Sequence, residues 1–95
     1  MDRHEYDSTV AALNENGWTV TESRFDQEAF GSWFAVFLRG RSTFRAVWDG
    51  RNRWLFLQRK HRSWFRRKWE WRNVSVSKTP NEQSLDRLIS RVGRL

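Results

Sequence analysis

The chain has 95 residues, enough for one domain with one modest core, and fifteen of them are Trp, Phe or Tyr. It contains no cysteine, which excludes disulfides, thiolate metal sites and thiol catalysis, and its longest apolar run, Trp33–Leu38, is far shorter than the roughly twenty residues of a membrane-spanning helix. The formal net charge of +7 is unevenly spread: residues 1–35 carry two basic side chains against seven acids, and residues 36–78 carry thirteen against two.

Residues 2–16 read as an amphipathic helix. Tyr6, Val10 and Leu13 recur at helical spacing on one side, Asp2 and Glu5 have capping-box-like spacing, and Asn16-Gly17 supplies a stop. Trp18 to Phe25 follows as a strand in which Trp18 and Val20 alternate with Thr19 and Thr21. Asp26 to Ser32 is a polar connector. Trp33 to Arg39 is the most apolar strand, and with Trp33/Ala35/Phe37 on one side and Phe34/Val36/Leu38 on the other, both faces are expected to be buried. Thr43 to Trp48 alternates more cleanly, and Asp49-Gly50 marks a four-residue turn, Asp49 to Asn52, into a fourth strand, Trp54 to Gln58.

Lys60 to Lys68 reads as a basic, irregular connector, or alternatively as the two arms of a long protruding hairpin. Trp69 to Ser77 resumes a strand pattern. Thr79 and Glu82 then form a capping box with Pro80 at the first helical position, opening a helix over 80–92 whose apolar side is Leu85, Leu88, Ile89 and Val92. The order is α-β-β-β-β-β-α. Consecutive strands with short links pair as an antiparallel meander of four to five strands, and one or both terminal helices should cover one face, giving a two-layer α+β domain over residues 1–95.

Enzymatic chemistry finds little support, and the chain is expected to be non-enzymatic. Its two histidines, His4 and His61, stand far apart, no HExxH or HxH spacing occurs, and the five glycines form neither GxGxxG nor GxxxxGK[ST]. No metal or cofactor is implied. The start of the chain, MDRHEYDSTV, has no apolar stretch of the secretory type, so a reduced, cytoplasmic setting is expected.

The chemistry concentrates in Arg59–Arg72, RKHRSWFRRKWEWR, where seven of fourteen residues are Arg or Lys, four are Trp or Phe, and Glu70 is the one acid. Cations attract a polyanion and exposed rings offer stacking surfaces for bases. The candidate binding residues are Lys60, Arg62, Trp64, Phe65, Arg66, Arg67, Lys68 and Arg72. Arg51 and Arg53, with Arg41 and Arg45, fall near strand ends and turns and are expected to extend the positive surface. Two plainer explanations compete. Trp69 and Trp71 share one side of a strand, as core or sheet-face residues do, and Arg over Trp is a cation–π contact that needs no ligand.

The leading expectation is a small binding domain whose basic, aromatic face engages a polyanion, most of all nucleic acid. The alternative is a protein–protein module of the bacterial immunity, antitoxin or inhibitor type that docks an acidic partner through Trp and Arg. The opposite charges of the two ends also allow head-to-tail homodimerisation. Membrane-surface binding is disfavoured because the chain lacks a sustained basic amphipathic helix.

Overall fold

The computed structural model describes residues 3–62, 68–78 and 83–93. The elements are α1 (Arg3–Glu15), β1 (Thr19–Asp26), β2 (Ser32–Arg39), β3 (Ser42–Asp49), β4 (Trp54–Arg62), β5 (Trp69–Ser77) and α2 (Ser84–Gly93). The five strands form one open antiparallel sheet in the order β1-β2-β3-β4-β5. The fold is thus the expected α+β meander between two terminal helices. The capping residues Asp2, Thr79, Pro80 and Glu82 lie outside the described residues.

Local chemistry explains the first boundary. Gly17, at φ 82°, takes the left-handed conformation that ends α1. Its N–H donates to the Asn14 carbonyl (3.3 Å) and that of Trp18 to the Leu13 carbonyl (3.0 Å), the bond pair of a Schellman cap. Leu13 and Trp18, brought together by that cap, are both buried.

The core lies between the helices and one face of the sheet. Trp33, Ala35 and Phe37 of β2, Phe44, Ala46 and Trp48 of β3, and Leu55 and Leu57 of β4 meet Leu13 of α1 and Leu85, Leu88 and Val92 of α2 in one cluster. Trp18 packs edge-on against Phe37 (5.1 Å) and Phe44 (5.6 Å), which are cross-strand partners in register. Tyr6 ties α1 to β1, donating to Ser23 Oγ at 2.8 Å.

Two bulges set which residues face this core. Thr21 is an extra residue in β1, because Val20 pairs with Phe37 and Glu22 with Val36. The skip puts both Val20 and Phe25 on the helix side, which strict alternation would not. In β5 Val74 plays the same part, with Asn73 opposite Gln58 and Ser75 opposite Leu57.

The structure corrects two expectations. Both helices sit on one face, so Phe34, Val36 and Leu38 are half-buried on a face without a second layer, while Trp33, Ala35 and Phe37 are buried. Lys60 to Arg62 are not an irregular connector: β4 runs on to Arg62, which pairs with Trp69 at the expected start of β5, so strand four extends as a hairpin arm, and residues 63–67 lie outside the described residues. The backbone bonds of that ladder continue where the apolar alternation has stopped.

Candidate functional site

The uncovered face of the sheet is built in rows across the strands, because antiparallel partners point the same way. Arg24, Phe34, Val47, Phe56 and Val76 form one row. Beside it Glu22, Val36, Arg45, Gln58 and Asn73 form the next. Farther toward the β4–β5 end, Lys60 pairs with Trp71 and Arg62 with Trp69. Apolar, cationic and amide side chains therefore alternate over a surface that neither α1 nor α2 covers.

Three of its tryptophans lie against cations. The Arg45 guanidinium lies 4.3 Å from the centre of the Trp71 ring, Lys60 Nζ 5.6 Å from Trp69, and Lys78 Nζ 4.9 Å from Trp54. Trp69 remains 61% exposed, so its cation contact leaves most of the side chain open to a ligand. Lys60 and Lys68 are both exposed beside it in the chain or across the ladder.

Arg45 is the best-fixed cation here. Its Nε donates to Gln58 Oε1 at 2.8 Å, and Gln58 Nε2 donates in turn to Asn73 Oδ1 at 3.0 Å. The chain of bonds crosses β3, β4 and β5 along one row and holds the guanidinium against Trp71. Partial burial lowers the Arg45 pKa from its ordinary value, with the charge of Glu22 acting the other way. Arginine stays cationic at neutral pH regardless, so the result is a partly desolvated positive charge.

Next to Arg45 the face is hollowed by a depression of about 500 Å³. Phe34, Val47 and Phe56 line it, with Arg45 and Gln58 toward one side and Asp26, Ser32 and Asp49 toward the other. Two turns close that second side. Phe30 and Gly31 are both left-handed, at φ 59° and 70°, and Gly50 approaches the Phe30 carbonyl so closely that a Cβ would collide with it. The Gly50 N–H also donates to Ser32 Oγ at 2.9 Å. Phe30 itself is 68% exposed.

The sequence-predicted residues do not all come together. Lys60, Arg62 and Lys68 stand at the β4–β5 end of the sheet with Trp69 and Trp71. Arg72 pairs with Arg59, and so lies on the opposite side of β5 from Trp71. Arg51 and Arg53 are exposed in the turn before β4, about 30 Å from Arg62 at roughly 3.3 Å per strand residue. Trp64, Phe65, Arg66 and Arg67 lie outside the described residues. Arg45 is corrected from a strand-end position to the middle of β3.

Sequence reasoning missed Gln58, Asn73, Phe56 and Trp54 as face residues. Period-two alternation in β2, β3 and β4 carried the signal, but only the register between strands turns it into a surface. Among the described residues no helix is long and apolar enough to cross a membrane. No protein-family model, curated protein or solved structure matches this chain.

Proposed function

We propose that the uncovered sheet face binds a polyanion, and that its ligand is single-stranded nucleic acid. The observation that carries this reading is the alternation of rings and cations on that face: Trp54, Phe56, Trp69 and Trp71 stand among Arg45, Lys60 and Lys78. An antiparallel sheet with exposed rings suits splayed bases, each stacked base contributing about 1–3 kcal/mol, while the cations attract the backbone. A single strand fits better than a duplex because α2 carries Arg87 and Arg91 alongside Asp86 rather than a basic face for a groove.

The test is fluorescence polarisation of labelled single-stranded RNA, single-stranded DNA and duplex DNA across a salt series. Neutralising six phosphates of a single strand gives a slope of log K against log[salt] of about −4. Lys60→Glu combined with Lys68→Glu should weaken binding at least about tenfold at low salt with little change in melting temperature, since both side chains are exposed. Wild-type affinity in this double variant, or no salt-steep binding by the wild type, overturns the reading.

A second reading has an observation of its own. The exposed Phe30 beside an apolar depression is the kind of anchor a protein interface uses. On that reading the domain docks an acidic protein, as immunity, antitoxin or inhibitor proteins dock their targets. Heparin would then compete poorly, and Phe30→Ser would weaken binding more than the lysine reversals.

A further inference from the structure

We infer that the depression beside Arg45 takes one base of the bound strand, and that the base it selects is guanine, with the Arg45 guanidinium forked onto the O6 and N7 acceptors. This rests on the single-strand reading of the same face.

Three features of the depression lead there. The first is preorganisation. Lys60, Arg62 and Lys68 are exposed, but Arg45 is half-buried, held over the Trp71 ring and tied through Nε to Gln58, which Asn73 holds. The second is which atom is used: the bond to Gln58 is made by Nε, so it does not occupy the paired Nη edge of the guanidinium. The third is the neighbouring row. Val47 lies two residues along β3 from Arg45, about 7 Å away, and Phe34 and Phe56 flank it on β2 and β4.

These features specify a ligand chemistry. Arginine carries donors only, so its fork demands two adjacent acceptors. Phosphate offers them, but an apolar floor of Phe34, Val47 and Phe56 opposes the desolvation of a phosphate and suits a flat ring. Among the bases guanine alone presents O6 beside N7. Adenine places its N6 donor next to N7, where it would face the arginine donors. A volume of about 500 Å³ is in the range of small-ligand sites.

The experiment uses the full chain and short labelled oligouridine strands carrying one central substitution. Guanosine and inosine, which share O6 and N7, should each tighten binding about tenfold over uridine, as a bidentate arginine contact does. Adenosine and 7-deazaguanosine, which lack one acceptor, should bind like uridine. Arg45→Lys keeps the charge but removes the fork, and should erase the guanosine advantage over uridine. Gln58→Leu, which releases Arg45 Nε, should reduce that advantage without touching the guanidinium. Free guanosine monophosphate should compete the advantage away, and cytidine monophosphate should not. Equal binding of all strands, or equal binding of guanosine and 7-deazaguanosine, overturns the guanine site and leaves the single-strand reading standing. Failure of every strand to bind at low salt overturns both.

Discussion

The Asp49 carboxylate accepts the backbone N–H groups of Arg51 and Asn52 through Oδ1 (3.0 and 3.2 Å) and the Asn52 side-chain amide through Oδ2 (2.9 Å). These bonds favour the ionised form, so the Asp49 pKa lies below its ordinary value, with the Asn52 side chain the largest cause. A folded-state pKa below the unfolded one stabilises the protein fully above the unfolded value, near 3.9, and the contribution is lost as pH falls through the lowered folded value. Asn52→Ala removes the main cause. It should lower the melting temperature by a few degrees at most near pH 7, because the turn is exposed and solvent screens it, and the gap to wild type should close as pH falls through the lowered folded value. Thermal melts followed by circular dichroism across that range check this. A gap that widens on acidification would show that Asn52 acts through packing instead. The turn also bears on the site, since Asp49 and the neighbouring Gly50–Ser32 contact form one side of the depression beside Arg45.

At the level of the strands, the two faces of the sheet separate stability from binding. Phe37 is fully buried between Trp18 and Phe44, whereas Phe56 is half-buried on the uncovered face. Phe37→Ala should cost about 3–5 kcal/mol, a loss of more than about 12 °C in melting temperature for a domain of this size. Phe56→Ala should cost about half of that or less, since much of the ring stays in contact with water, yet it should weaken strand binding by the 1–3 kcal/mol of about one stacked base. Melting and polarisation measurements on the same two proteins decide it, and a Phe56→Ala variant that loses stability but no affinity would remove this face from the site. The same distinction shows what could be read in advance. Alternation in Trp33–Leu38, the Asn16-Gly17 stop and the Asp49-Gly50 turn were legible because each is a local signal. That Phe34, Val36 and Leu38 lie uncovered was not, since it depends on both helices choosing one face. Nor were the bulges at Thr21 and Val74, which shift register without an inserted glycine or proline to mark them. The Arg45–Gln58–Asn73 row depends on that register, which is why a candidate site drawn from local charge density alone centred on the hairpin and gave Arg45 only a place near a strand end.

Across the molecule the charge follows the strand order. The acidic first third forms α1 and β1 at one edge of the sheet, and the lysines and arginines of β4 and β5 lie at the other. Four strand spacings put these edges about 19 Å apart. The Debye length is about 8 Å at 0.15 M ionic strength and about 30 Å at 0.01 M, so the acidic edge barely opposes a polyanion on the basic edge in the first condition and does so appreciably in the second. Asp7→Lys with Glu15→Lys tests this on exposed positions of α1. Among the described residues the change breaks the long, exposed Arg3–Asp7 pair (3.9 Å), and it places a cation in the last turn of the helix, where the helix dipole favours it, so the fold should persist. Strand affinity should rise several-fold at 0.01 M and by less than about twofold at 0.15 M. An equal gain at both ionic strengths would mean that α1 touches the ligand directly. The same titration in a sedimentation experiment reports on head-to-tail pairing. If opposite edges of two copies attract, the wild type should gain mass as salt is lowered, and the doubly reversed variant should remain at monomer mass throughout.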